Sequence, residues 1–296
     1  MKIVFITGSS GFVGRNLMQY LEPFYTCLKH RRDGLIEIDH DIIIHLAGKA
    51  HDLKKTHNSV DYYKVNTELT KKVFDAFLAS NAKVFITLSS VKAVVDEVEE
   101  ELLEESTPNP KTHYGKSKLL AERYILSSPP PEGKRIYILR PCMIHGPGNK
   151  GNLNLLYSLV SKGLPWPLGL FENSRSFLSI ENLCFIIQEL LEREDIPSGV
   201  YNVADDVPLS TNMVIKIIAE SREKKARILN LNKNLIKLLA RVGDLFKLPL
   251  NSERLQKLTE SYVVSNAKII SVLGKSLPVS SQEGLKRTFK SFSDYA

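Results

Sequence analysis

The sequence predicts an α/β protein in which a doubly wound parallel sheet is joined to a smaller, mixed α/β C-terminal substrate domain. Three observations predict it. Short β-branched runs alternate with helical patterns from Lys2 to Arg140, a glycine turn follows the first run directly, and the alternation stops after Pro141.

The first element, Lys2 to Thr7 (KIVFIT), reads as a strand, and Phe12 to Leu21 has the apolar spacing of a helix. A second strand is expected at Tyr25 to Lys29 and a third at Ile42 to Ala47, a nearly continuous apolar run of the kind buried in parallel sheets. The connection between them is too short for a crossover helix and is expected to be a loop. Asp61 to Ser80 reads as a long amphipathic helix and Lys83 to Leu88 as the next strand. A helix from Tyr114 to Ser127 then leads to the strand Arg135 to Arg140. This order predicts a Rossmann sheet over residues 1–147, with 183–204 returning to it. Residues 148–182 and 205–296 are left for a substrate-binding domain.

Composition narrows the class. The longest apolar stretches fall far short of the roughly 20 residues of a membrane helix, and the N-terminal stretch turns glycine-rich before it resembles a secretion signal. A cytoplasmic protein with no membrane insertion is expected. Cys27, Cys142 and Cys184 have no metal-like spacing and read as reduced core residues. The net charge of +7 fits nucleic acid, an anionic membrane surface or phosphorylated ligands. With no nucleic-acid motif present, phosphorylated ligands are the better reading.

Gly8-Ser9-Ser10-Gly11-Phe12-Val13-Gly14 sits between the first strand and helix. Glycines there permit close approach of a pyrophosphate to backbone N–H groups at a helix N-terminus, although a merely tight turn has the same look. The second strand ends in Lys29-His30-Arg31-Arg32 rather than an acidic residue, a pattern that leans to NADP(H) if Arg31 meets a phosphate and is otherwise an exposed basic loop. Tyr114 and Lys118 are four apart, on one face of a helix, where an ammonium can lower a phenol's pKa for acid/base work. Ser90 follows the fourth strand at the end where ligands of open α/β sheets bind.

Taken together, TGSSGFVG, HLAGKAH, VNTELT, LSSVKAV, YGKSK and RPCMIHGPG stand in the order found in the extended short-chain dehydrogenases/reductases. The chain resembles that nucleotide-sugar epimerase/dehydratase/reductase family along nearly its whole length. The resemblance implies NAD(P) as cofactor, with Gly8, Gly11, Phe12, Val13 and Gly14 at the pyrophosphate and Leu46, Ala47 and Gly48 lining the cofactor. It implies Tyr114 as acid/base, Lys118 on the nicotinamide ribose, Ser90 as the third catalytic hydroxyl, Asn66 behind the tyrosine and Pro141 against the nicotinamide amide. Asn152, Arg175 and Arg254 resemble contacts to a nucleotide-sugar diphosphate.

The departures matter. Val91 and Lys92 replace the Asp-Glu pair with which 4,6-dehydratases eliminate water, and Met143 stands where epimerases often carry a substrate asparagine. A 4-ketoreductase of a UDP-sugar in bacterial surface-polysaccharide synthesis is therefore expected first. A 4-epimerase with retained NAD and a non-catalytic NAD(P)H-binding regulator are the alternatives. The loop with Lys49, His51, Lys54, Lys55 and His57 faces either the sugar or solvent. The acidic segment Asp96 to Glu105 reads as a solvated loop or short helix. The helices around Val65 to Leu78 and Tyr114 to Leu126 correspond to the family's dimer interface, which implies a homodimer.

Overall fold

The computed structural model describes residues 1–29, 40–50, 59–149, 151–246 and 251–293. In chain order the strands are β1 (Ile3–Thr7), β2 (Thr26–Lys29), β3 (Ile42–His45), β4 (Val84–Leu88), β5 (Glu101–Leu102), β6 (Arg135–Pro141), β7 (Met143–His145), β8 (Phe177–Ser179), β9 (Gly199–Val203) and β10 (Val263–Val264). The helices are α1 (Phe12–Leu21), α2 (Ser59–Tyr62), α3 (Leu69–Ala79), α4 (His113–Leu126), α5 (Asn152–Ser161), α6 (Ile180–Glu192), α7 (Thr211–Ser221), α8 (Lys233–Phe246), α9 (Ser252–Thr259), α10 (Ala267–Leu273) and α11 (Ser281–Ser293).

Six strands form one parallel sheet in the order β2-β1-β3-β4-β6-β9. All four residues of β3 are buried, which explains its unbroken apolar run, whereas β2 is an edge strand with three exposed positions. The chain leaves β1 for β2 on one side and returns to β3 on the other, so a crevice opens at their C-terminal ends. Helix α1 buries Gly14, Leu17, Met18 and Leu21, the i, i+3, i+4, i+7 stripe of an amphipathic helix. One core lies on the face with α1 and α6, and a second, built on Phe74, Phe77 and Phe85, lies under α3. The loop expected between the second and third strands falls largely outside the described residues.

A separate core gathers Leu153, Tyr157, Trp166, Phe177, Leu209, Ile218 and Phe289 from the later elements. Strand β7 pairs with β8 just past the end of β6, and β5 pairs with β10. The β5–β10 pair corrects the reading of the acidic segment as a loop or short helix. Leu102 is buried against Tyr262 and Val264, so part of that segment is a strand anchored by one apolar side chain. Among the described residues no helix is long and apolar enough to cross a membrane. None of the three cysteines is in a disulfide; Cys184 is buried, and its desolvated thiol is pushed up to about 12.

Candidate active site

The turn between β1 and α1 sets the first wall. Gly8 has φ +71°, and a Cβ there would lie 2.6 Å from Ala47 N, so only glycine lets the end of β1 sit against the end of β3. The turn closes with Gly11 N–H donating to the Gly8 carbonyl at 3.0 Å. Gly11 then caps α1 without any side-chain acceptor, which leaves the first N–H groups of the helix free for an anion.

Behind this wall runs a buried polar chain. The Thr70 hydroxyl donates to the Asn66 carbonyl at 2.7 Å and therefore accepts from His45 Nε2 at 2.9 Å. His45 Nδ1 is then the acceptor for the Thr7 hydroxyl at 2.7 Å, and Thr7 Oγ1 accepts from Ala47 N–H at 3.3 Å. The hydrogen-bond chain thus assigns a neutral His45 protonated on Nε2. Between α2 and α3 the helix is wound wide over Tyr63–Glu68, and fully buried Asn66 lies in that π-helical stretch. Its amide accepts from Lys49 N at 2.7 Å and donates to Lys49 O and Ser117 Oγ, both at 3.0 Å. Asn66 thereby joins the strand β3 exit to α4.

Helix α4 starts under tight control. Thr112 caps it by accepting from Gly115 N–H, and Asp96 accepts from the backbone N–H groups of Lys111 and Thr112 and from the Thr112 hydroxyl. A Cβ on Gly115 would run into the Lys92 carbonyl oxygen, so this glycine allows α4 to press onto the turn after Ser90. The result is a side-chain hydrogen bond between Tyr114 and Ser90. Ser90 Oγ also accepts from Lys92 N–H at 3.2 Å, which fixes its rotamer.

One turn further on, Lys118 is buried and its Nζ donates to the Leu88 carbonyl at 2.8 Å. A Cβ on Gly48 would sit 3.1 Å from that Nζ and 3.3 Å from Asn66 Oδ1, so the ends of β3 and β4 and helix α4 converge. Burial lowers the Lys118 ammonium to about 8. Tyr114 moves the other way. Desolvation raises its phenol above the ordinary range, opposed by the Ser90 hydrogen bond, so burial prevails over the lowering expected from the YxxxK spacing.

Of the other predicted residues, Pro141 is buried at the end of β6, paired with Val203 of β9. Phe12 and Val13 open α1 and pack against the sheet core, as does Leu46. Arg175 donates to the Lys257 carbonyl at 2.5 Å and stands 3.6 Å from Glu260; burial lowers its guanidinium pKa. Arg254 is exposed on α9, the helix that supplies that Lys257 carbonyl. Asn152 is the first residue of α5, and Arg31, His51, Lys54, Lys55 and His57 lie outside the described residues. Lys49 pairs with Asp61 at 2.8 Å.

Three residues at the site carry more than their motifs suggested. Lys92 is largely buried, its Nζ 4.0 Å from the centre of the Tyr262 ring and donating to the Asp96 carbonyl at 2.6 Å. Burial lowers its pKa, and it shares an electrostatic field with Glu260 and Arg175. Tyr262 in turn donates to the Val95 carbonyl at 2.8 Å. Ser89 keeps a buried hydroxyl without a protein partner beside Ser90. Lys92 had a sequence signal in its place in the dehydratase pattern and Ser89 in its place at the strand end; Tyr262 had none.

The glycine turn, the Ser90–Tyr114 pair and the buried Lys118 thus gather at the C-terminal ends of a Rossmann sheet. The chain belongs to the NAD dependent epimerase/dehydratase family, whose model matches residues 4–204. It is 30% identical to a UDP-glucose 4-epimerase of Vibrio cholerae over 98% of this chain and 95% of that protein. It is 28% identical to a GDP-6-deoxy-D-mannose reductase of Pseudomonas aeruginosa over 76% of this chain and 82% of that one. The fold is shared with RMD from Pseudomonas aeruginosa complexed with NADPH, at a TM-score of 0.72 and 21% identity over 100% of both chains. The chain is thus an NAD(P)-dependent sugar-nucleotide enzyme of the epimerase and reductase type. The uncapped α1 terminus, the close Gly8–Ala47 approach and the buried Lys118 all fit a nicotinamide dinucleotide.

Proposed function

We propose that the chain is a 4-ketoreductase for a 4-keto sugar carried on a nucleoside diphosphate, with Ser90, Tyr114 and Lys118 as the catalytic group. The observation that supports this most directly is Met143, which stands where epimerases often carry a substrate asparagine. Tyr114, hydrogen-bonded to Ser90, is the group placed to give a proton to a carbonyl oxygen. Bound NAD(P)H supplies the hydride in this reading. Ser90 Oγ holds the sugar carbonyl oxygen, Tyr114 protonates it as negative charge develops, and the Lys118 ammonium steadies the phenolate left behind.

Gly8, Gly11 and Gly14 would hold the pyrophosphate at the α1 terminus, with Leu46, Ala47, Gly48, Asn66 and Pro141 along the rest of the cofactor and Arg31 as the NADP(H) contact. Residues 148–182 and 205–296 would hold the sugar nucleotide, with Arg175, Asn152 and Arg254 as its candidate diphosphate contacts. Lys92, an ammonium in place of a dehydratase carboxylate, argues against water elimination by that route. The place we assign the enzyme is surface-polysaccharide synthesis in the cytoplasm.

A second reading, the 4-epimerase, is favoured by the likeness to the Vibrio cholerae enzyme over almost the full length of both chains. Incubating purified protein with UDP-sugars and 4-keto UDP-sugars, with and without NADPH, separates the two. Stoichiometric loss of nicotinamide absorbance with an alcohol product in the NMR spectrum is expected. Epimer formation with no nicotinamide consumed would overturn the reductase.

A further inference from the structure

We propose that helix α8 is a docking element that lays the protein on an anionic membrane surface. Of its fourteen residues only Ile236, Ala240 and Gly243 are buried, so the helix meets the body of the protein along one narrow seam. Leu235, Leu238, Leu239, Val242, Leu245 and Phe246 are all exposed, from 40% for Val242 to 77% for Leu245. Their spacing is i, i+3, i+4, i+7, i+10, i+11. At about 100° per residue they cover a continuous arc of about 120° beside the buried seam, a second apolar face left exposed among the described residues. Such a face, rimmed by polar groups, marks a contact surface.

Charge selects the occupant. Lys233, Lys237 and Arg241 are exposed and occupy the remaining sector of the helix, with Arg241 bordering the apolar arc. Upstream, Lys224, Lys225 and Arg227 are exposed as well, and Leu229 and Leu231 continue the exposed apolar character into the helix. Between residues 224 and 246 six basic residues face a single acidic one, Asp244, whose carboxylate accepts from Ser252 N–H at 2.9 Å. An apolar stripe with a bordering arginine and further basic residues on the helix and just upstream is the pattern of a helix lying in the interface of a bilayer with anionic headgroups. A second copy of the chain would set the same basic border against itself, which like-charge repulsion disfavours. The helix lies on the surface and crosses nothing; the arrangement would bring a sugar-nucleotide enzyme to a membrane and is independent of the reaction it catalyses.

Flotation with vesicles of phosphatidylcholine alone, and of phosphatidylcholine and phosphatidylglycerol in equal parts, tests the proposal. Binding to the anionic vesicles at least roughly tenfold stronger than to the neutral ones is expected, weakening as salt is raised. The double variant Leu238→Glu, Leu245→Glu should lose vesicle binding while keeping the wild-type circular dichroism spectrum and melting temperature, since both side chains are exposed. Lys237→Glu with Arg241→Glu should weaken it. No binding to either vesicle, or equal binding to both, would overturn the proposal. So would a dimer in light scattering that the leucine variant dissociates with no vesicle binding by the wild type.

Discussion

Tyr114 and Lys118 lie one helical turn apart on α4, and burial acts on them in opposite senses, holding the phenol protonated and easing the proton off the ammonium. Two predictions belong to these side chains. Tyr114→Phe removes the proton donor while keeping the ring packing against Tyr62, so turnover should fall by about 100-fold or more with NADPH affinity unchanged, measured by fluorescence titration. Turnover retained in that variant would sink the proposed role, and cellular function unchanged once turnover is lost would favour the regulator. The second concerns pH. Lys118 titrates at about 8 in the folded protein against 10.5 ordinarily, so between those values the unfolded chain holds the proton that the folded chain has released. Stability therefore rises with pH across that window, and below it burial of the charged ammonium costs up to about 3 kcal/mol. Lys118→Met should raise the melting temperature of the cofactor-free protein at pH 7, with the gain shrinking towards pH 10, while abolishing turnover. In the wild type kcat/KM should decline as pH rises through about 8; a flat profile would contradict an ammonium role.

Helix α4 holds both side chains, and its placement depends on partners far away in sequence. Glu122 makes a buried two-pronged ion pair with Arg140 of β6, at 3.0 and 2.7 Å, and Arg140 continues to the Glu104 carbonyl. Glu104 in turn accepts from Asn202 N–H of β9 at 2.8 Å. Glu122→Gln leaves the guanidinium buried without its counter-charge and should cost about 3–5 kcal/mol, read as a lowered urea midpoint. An unchanged midpoint would mean that Arg140 finds water or another acceptor. These elements also show what was legible in the sequence. The sheet strands and α4 were, because alternation and 3.6-residue spacing are local, and the bounds of β1, β4 and β6 shift by only a residue. Strands β5, β7, β8 and β10 were not. Two or three residues carry no periodicity, and each is defined by a partner more than thirty positions away. The π-helical stretch around Asn66 was equally hidden, since one wide turn leaves an amphipathic pattern intact, although the asparagine itself was singled out by its motif.

At the scale of the molecule, the sheet and the C-terminal segment are stitched together beside Ser90. Tyr262 of the C-terminal segment reaches the Val95 carbonyl, β10 pairs with β5, and Val91, Val94, Leu102, Ala204 and Val264 pack into one small core around that tyrosine. The sequence pointed to two functions, cofactor and sugar nucleotide, but this seam was invisible to it, because it consists of residues about 160 positions apart. The seam predicts how ligands act on stability. A dinucleotide on the β1 and β3 ends stabilises the folded state by mass action, about 2.7 kcal/mol at a hundredfold excess over Kd, or a rise of roughly 4 °C in melting temperature for a chain of this size. UDP should bind on the Arg175 side of this seam and add its own increment, since Tyr262, Glu260 and Arg175 link that side to the turn after Ser90. In Arg175→Ala the dinucleotide increment should persist and the UDP increment should shrink. If both increments survive that substitution, the diphosphate is held elsewhere, and exposed Arg254 on the same helix as Lys257 becomes the residue to replace next.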